Sequence, residues 1–407
     1  MLSLIKAYFC TMSKQSIAVI GLGPAALFFA AFVDTSKYQV TIYEKKKQGA
    51  RKFLVAGKGG FNLTHSEPLD EFITRYTPQE FLIPALQHFS NADLRSWLKE
   101  IGLPTIIGSS RRVYPEDHIK PIEVLSTLLD VIQKRGVEIN YEQEWLGWSD
   151  SHTLLFQNDQ EVQADKVVFA LGGGSWKVTG SDGSWREPFE AQGVNTLPFQ
   201  ASNCAYTVDW DKSFIQQNTG EPLKNCTYSA GGQTQKGETV ITEKGIEGNA
   251  VYALSPDLRA ALEKDGSARL EIDFKPTWSK KKVMDVMQNS RLTKMTDILK
   301  KDLRLSKVQI NLLKGITSKE EFLSKKHMAH LIKIYPLTVT GQALLDEAIS
   351  TVGGVALDAV KDNFELKALP KHYCIGEMLD YDAPTGGYLL QSCFSMGAYL
   401  AHRFNKE

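Results

Sequence analysis

The sequence predicts an α/β protein: a discontinuous Rossmann-type nucleotide-binding domain, interrupted by a β-rich insertion and then by a small helical one. Three observations predict this. A glycine-rich turn joins a β-rich run to an apolar helical run within residues 16–33. The texture changes near residue 198 to short alternating segments, and near residue 279 to apolar residues at helical spacing. From about residue 348 the first texture returns and closes on a glycine-rich turn before a final helix. A chain of 407 residues suggests two or three domains. The partition expected is residues 13–197 with 345–407 for the nucleotide domain, 198–278 with 334–344 for the β-rich part, and 279–333 for the helical part.

Taken in order, residues 16–20 (SIAVI) read as a strand, residues 21–33 as a turn and helix, and residues 38–43 (YQVTIY) as a second strand closed by Glu44. This is a β-α-β unit of about 30 residues. Residues 49–64 read as a loop rich in glycine and lysine. Residues 78–101 carry one helical periodicity, and residues 122–135 another. Residues 136–141 read as a parallel strand. Residues 166–171 (KVVFAL) form a buried strand that runs into Gly172, Gly173 and Gly174. The segments CAYTV, TYSAGG, ETVITEKG and ARLEIDF read as antiparallel strands. About three helices are expected within 279–333, from Val283, Val286 and Met287 through Leu312 and Leu313.

The first turn, Gly21-Leu22-Gly23-Pro24-Ala25-Ala26, sits where a dinucleotide needs it. Gly21 permits the tight strand-to-helix turn, Gly23 lets backbone approach a pyrophosphate, and Ala26 lets the helix pack closely on the sheet. The helix start offers unpaired N–H groups and partial positive charge to phosphate. Glu44, 23 positions after Gly21, can accept hydrogen bonds from a ribose, with Lys45 beside it. The motif does not by itself separate FAD from NAD.

Composition removes several classes. Apolar residues make up 43% and charged residues 23%, with formal net charge zero, so bulk charge does not point to nucleic acid. Five scattered cysteines without C-x-x-C spacing fit a reducing compartment, and a cytoplasmic protein is expected. No run of about 18 apolar residues occurs, so no membrane partner is expected. Residues 1–11 read as a disordered extension or a mis-assigned start, since Met12 precedes SKQSIAVIGLG directly. No metal centre is expected: His327 and His330 share a helical face but lack further ligands, and read as surface histidines.

Four further segments carry a resemblance. They are residues 51–65 (RKFLVAGKGGFNLTH), 112–115 (RVYP), 170–183 (ALGGGSWKVTGSDG) and 376–391 (GEMLDYDAPTGGYLLQ). In order and spacing they resemble the aminoacetone-oxidase-like, NAD(P)/FAD-dependent oxidoreductase family, from about residue 16 to the C-terminus. Many members carry Ser-Gly-Gly-Gly-Arg-Cys-Asn where this chain has AGKGGFN, and Tyr-Asn where it has Tyr388-Leu389. The missing Arg and Cys fit a distinct branch. The resemblance implies a split FAD domain, an inserted barrel-like β domain and a small helical domain. It also implies non-covalent FAD.

With FAD as ligand, the ADP half is expected on Gly21, Gly23, Pro24, Ala25, Ala26, Glu44 and Lys45. Arg51 and Lys52 are expected near ribose or pyrophosphate, and Gly172 and Gly173 at the adenosine half. Gly57, Gly59 and Gly60 would allow close approach to the isoalloxazine, with Asn62 at its edge. Gly376, Glu377 and Asp380 resemble the segment that contacts ribityl and pyrophosphate. Gly387, Tyr388 and Leu389 open the last helix, whose dipole would stabilise negative charge at the N1–C2=O2 end of reduced flavin. The catalytic candidates are Lys58, in the flavin-facing loop, and Tyr388; His65, Arg111, Arg112 and Trp176 also merit testing.

The expected function is two-electron redox on a small organic substrate. Either NAD(P)H reduces the flavin as a transient reductant, or substrate reduces it and oxygen reoxidises it. Two alternatives stand. One is a flavin-binding redox-sensing or nucleic-acid-binding module using residues 279–333, which hold 14 Lys or Arg against 5 Asp or Glu. A solvated basic face is the default there, so nucleic acid is not the expected partner. The other is a flavin-dependent RNA-modifying enzyme. Monomer and homodimer are both open.

Overall fold

The computed structural model describes residues 14–55, 60–150 and 152–407. The nucleotide-binding part begins with β1 (Gln15–Ile20), α1 (Pro24–Phe32) and β2 (Tyr38–Glu44). It continues with α2 (Pro121–Lys134), β3 (Glu138–Tyr141) and β4 (Lys166–Phe169). After β5 (Thr196–Ser202) the chain leaves for the insertion. It returns with β6 (Ser350–Val355), β7 (His372–Cys374) and α3 (Tyr388–Asn405). The central sheet is wholly parallel, in the order β7-β4-β1-β2-β3. Because β1 has β2 on one side and β4 on the other, a crevice opens beyond their carboxyl ends, the usual ligand position in such sheets.

Every residue of β4 is buried, as are the last four of β1, so both faces of the sheet are covered. Helices α1 and α3 pack against each other through Phe28 and Phe394, whose stacked rings lie 4.1 Å apart, and through Phe29 and Phe404. Gly397 makes that approach possible. A Cβ there would sit 2.4 Å from the Ala25 carbonyl oxygen. A three-stranded antiparallel meander (Trp145–Trp148, Thr153–Phe156, Glu161–Gln163) lays Trp145 and Trp148 on Phe169 of β4.

The insertion contains a seven-stranded antiparallel sheet built on the long hairpin Pro222–Ala230 and Gln233–Ile241. Helical segments from Lys280–Gln288 to Lys325–Lys333 pack on it. The sheet (Tyr228, Leu270, Tyr335) and the helices (Val283, Leu299, Leu313, Met328) share one hydrophobic core, distinct from that of the nucleotide part. The antiparallel pair β5–β6 carries the chain out and back.

Several local expectations differ from what forms. Residues 78–101 make not one helix but a short 3₁₀ turn, the helix Ile83–His88 and the helix Asn91–Glu100. Ser90 splits them: its hydroxyl and Asp93 form a reciprocal capping box that starts a new helix. The expected loop over residues 49–64 contains a short helix, Arg51–Val55.

Candidate functional site

A cavity of about 880 Å³ opens at the crevice, toward the upper end of the usual range for small-molecule sites. The turn after β1 forms one wall. Gly21 has φ +95°, and a Cβ on it would lie 2.7 Å from the Ala170 carbonyl oxygen, so β4 and this backbone conformation together demand glycine. Gly23 differs: a Cβ there would meet only that same oxygen, at 3.8 Å. Its missing side chain is not needed for protein packing and leaves room for a ligand. Gly23, Pro24 and Ala25 line the cavity, whereas Ala26 is wholly buried behind them. Helix α1 starts with proline, no side-chain cap and no acid in its first turn, which leaves its positive end for an anion.

Glu44 lines the same region. Its carboxylate accepts from the N–H of Leu22 at 3.0 Å and of Lys46 at 2.8 Å. Burial raises its pKa against those two hydrogen bonds. Lys45 reaches across to Asp182 at 2.9 Å. Burial pushes the Asp182 carboxyl up, but Lys45 and the hydroxyl and N–H of Ser184 outweigh it and hold the group at about 2. Gly172 lines this end, its carbonyl accepting from the Trp185 indole at 3.0 Å. Gly173 lies behind it, where a Cβ would come within 2.1 Å of Thr351.

Lys52 lines the wall, with its ammonium 2.9 Å from Glu377 and 3.0 Å from the Ser175 hydroxyl. Lys52 and Glu377, both expected to face the cofactor, are thus paired with each other at its edge. Asp380 lies away from the lining and accepts from the Gly353 N–H at 2.8 Å. Gly376 lines the cavity at φ +87°, with Ala25 3.1 Å from where its Cβ would be. Beside it, burial pushes the Cys393 thiol up to about 12, so it supplies no thiolate near neutrality.

Arg51, Gly60, Asn62, Gly387 and Leu389 also line the cavity. Gly387 begins α3 at φ +97°, and a Cβ there would lie 2.5 Å from the Thr64 Cα. The turn is thereby pressed against the strand pair Thr64–His65 and Arg112–Pro115. Helix α3, like α1, has no side-chain cap and no acid in its first turn. Tyr388 is held elsewhere: its hydroxyl donates to Glu67 at 2.6 Å, and its ring stacks on His65. Arg75 pairs with Glu67 at 2.9 Å. Burial raises the Glu67 carboxyl, yet the hydrogen bonds from Arg75 and Tyr388 bring it below its ordinary value. Lys58, Gly57 and Gly59 fall outside the described residues.

Of the further candidates, Arg112 and Trp176 line the cavity, whereas His65 and Arg111 do not. Sequence reasoning did not single out several other lining residues. Trp145, Trp185 and Pro188 give an apolar surface near Glu44, and Asn203, Asn249 and Thr385 a polar one. Asn203 stands at the exit from the nucleotide part in a left-handed conformation, φ +52°. Its carboxamide donates to Ser350 at 2.6 Å and to the Ala383 carbonyl at 2.8 Å. The buried carboxamide oxygen has no partner among the described residues, nor has the indole N–H of Trp145. The left-handed Asn203 is the kind of local departure that marks functional positions, but only coordinates reveal it.

Two uncapped helix starts, an open glycine cradle, an acid at the end of β2 and unpartnered polar atoms fit FAD. Compared with known families, the chain matches the HI0933-like protein Rossmann domain over residues 15–403. It belongs to that family. The protein is accordingly an FAD-dependent oxidoreductase. Similar proteins include a ribosomal RNA dihydrouridine synthase of Haemophilus influenzae, 25% identical, covering 96% of this chain and 98% of that protein. A 3-dehydro-bile acid delta(4,6)-reductase of Clostridium scindens is 26% identical, covering 96% and 99%. Among solved structures, a 3-ketosteroid delta1-dehydrogenase from Sterolibacterium denitrificans covers 97% of this chain and 100% of its own, at 13% identity and TM-score 0.47. Among the described residues no helix is long and apolar enough to cross a membrane.

Proposed function

We propose that this family member is a cytoplasmic reductase that adds a hydride and a proton to a carbon–carbon double bond conjugated to a carbonyl group in a small organic substrate. In this reading NAD(P)H serves as a transient reductant. The observation that carries it is the single cavity onto which both helix starts and the polar group around Asn203 open. Such a cavity would accommodate FAD along one wall and leave a polar surface beside it for the substrate. The names of two full-length relatives support the bond type. A bile-acid delta(4,6)-reductase and a dihydrouridine synthase both imply saturation of a double bond conjugated to a carbonyl. The aminoacetone-oxidase-like resemblance supports a small substrate. Buried free thiols at Cys204, Cys226, Cys374 and Cys393 support a reducing compartment.

FAD supplies hydride transfer when bound. The chain does the rest. The starts of α1 and α3 favour negative charge at the pyrophosphate and at the pyrimidine edge of the ring system. Glu44 is placed for a ribose. Trp145 and Trp185 would offer apolar surface to the adenine end.

A second reading is reduction of uridine in RNA. The excess of basic residues over 279–333 and the relative's name favour it. One anaerobic experiment tests both. Bleaching of the oxidised-flavin spectrum by NADPH is expected, with return of colour on adding a small enone. Return of colour only with uridine-containing RNA would select the second reading. A spectrum unchanged by NADPH would overturn the nicotinamide-driven scheme and turn the search to amine or hydroxy-acid donors.

A further inference from the structure

We propose that Arg112, flanked by Asn203 and Asn249, forms the polar end of the substrate site, where the Arg112 guanidinium stabilises the enolate oxygen that develops as the double bond is reduced and the Asn203 carboxamide oxygen accepts from a neighbouring donor on the ligand. The proposal rests on the conjugated-bond reading above and assigns residues to it.

Three contacts gather these residues. A Cβ on Gly386 would lie 3.5 Å from the Arg112 Nε, so the guanidinium passes directly beside that glycine. One residue earlier, the Thr385 hydroxyl donates to Asn249 at 3.1 Å. Two residues before that, the Ala383 carbonyl accepts from Asn203. The stretch from Ala383 to Gly386 is three residue steps, at most about 11 Å of extended chain. All three side chains therefore border one region, and all three residues line the cavity.

Their bonding leaves capacity for a ligand. Among the described residues Arg112 has no ion-pair or hydrogen-bonding side-chain partner, although it lines a cavity and sits on a paired strand. Thr64 and His65 pair with Val113 and Arg112, and Gly387 seats on Thr64, so the strand is fixed against the start of α3. A guanidinium without a counter-charge at a ligand cavity is a ready anion or oxyanion donor. Asn203 is 2% exposed, and both known donations come from its nitrogen, which leaves its oxygen to accept from a ligand hydroxyl or amide. Asn249 is exposed and accepts from Thr385 through its oxygen, which leaves its amide to donate.

The step balances as follows. Hydride from reduced flavin adds with its electron pair to the carbon β to the carbonyl. The double-bond pair moves to join the α carbon and the carbonyl carbon, and the carbonyl pair moves onto oxygen, beside Arg112. A proton from water then adds to the α carbon and the carbonyl re-forms. Reduced FAD, when bound, would supply the hydride, and NAD(P)H would restore the two electrons it gives up. Preorganised positive charge where negative charge develops is often the largest single contribution to such a rate.

The test uses 4-hydroxybenzaldehyde, a planar phenol that imitates the enolate, titrated into oxidised holoenzyme and followed by its own and the flavin's absorbance. The wild type is expected to bind the phenolate and to lower the apparent pKa of the bound phenol by about one unit or more, as a neighbouring cation does. R112M should abolish that lowering and weaken binding about tenfold or more, while R112K should keep part of both. Flavin content of each variant controls for folding, and R112K decides if R112M is isolated without flavin. Absence of phenolate binding to the wild type, or an unchanged phenol pKa in the Arg112 variants, would overturn the proposal. Enone turnover persisting with unchanged phenol binding would sink this assignment alone. Arg112-dependent phenolate binding without any enone turnover would sink the conjugated-bond reading and leave the oxygen site standing.

Discussion

At the scale of single residues, two glycines of one motif do different work. Gly21 answers to the protein: its positive φ and the 2.7 Å approach to Ala170 leave no room for a side chain. Gly23 answers to the ligand, since the protein alone would tolerate a methyl group there. Gly21→Ala should lower stability by about 1–3 kcal/mol, the usual cost of a residue forced into such a conformation, read as a lower urea midpoint with or without FAD. Gly23→Ala should leave the apoprotein's midpoint where it was and weaken FAD binding about tenfold or more, measured by fluorescence titration. Equal loss of apoprotein stability in both would show that the distinction is wrong. The motif was legible in the sequence because its glycines are fixed by local geometry. The Glu67–Arg75–Tyr388 cluster was not, because its members come from residues 67, 75 and 388 and meet only through folding. Tyr388 read as a flavin-facing residue from its place after Gly387, whereas its ring turns into the cluster behind the turn.

At the scale of elements, the crossing of α1 and α3 positions both helix starts on one cavity. Gly397 lies tight against the backbone of Ala25 and Phe29 there, at 2.4 and 2.7 Å for a built Cβ. Gly397→Val should therefore push the helices apart and destabilise by about 1–3 kcal/mol, as overpacking does. It should also reduce FAD affinity, although Gly397 lies outside the cavity lining. Retention of wild-type FAD affinity at reduced stability would show that the crossing does not set the site. From sequence, Gly397 is only a glycine inside a helix, a mildly unfavourable choice with no visible reason. The β-α-β start, β4 and the final helix were readable because each is a largely apolar run set off by a glycine-rich turn. The break at Ser90 was not read, although its capping pair was present, because the apolar spacing runs on across it.

At the scale of the whole molecule, the parallel nucleotide-binding sheet with β-rich and helical additions follows from the order of sequence textures. The way the two cores are tied together does not. Arg259, on the insertion helix Ser255–Asp265, reaches Asp382 at 2.6 Å, and Asp382 also accepts from the Ser202 hydroxyl at 2.6 Å. Both side chains are about nine-tenths buried. Arg259→Met would leave the carboxylate buried and unpaired, a loss of about 3–5 kcal/mol. The expected readout is a lower unfolding midpoint, with the two cores separating into distinct transitions in urea. A single transition at the wild-type midpoint would show that the pair is not what couples them.

The return of the chain to its first sheet has a consequence for how the protein is made. The cavity needs Gly376 from just after β7 and the start of α3 at Tyr388, both more than 300 residues after the turn that follows β1. A ribosome that has already released β1, α1 and β2 has therefore produced the phosphate cradle without the wall that faces it. The insertion, with a core of its own, emerges complete before that wall does. Flavin capture consequently waits for the start of α3, and nascent chains stalled before Tyr388 should collect no yellow colour however long they wait.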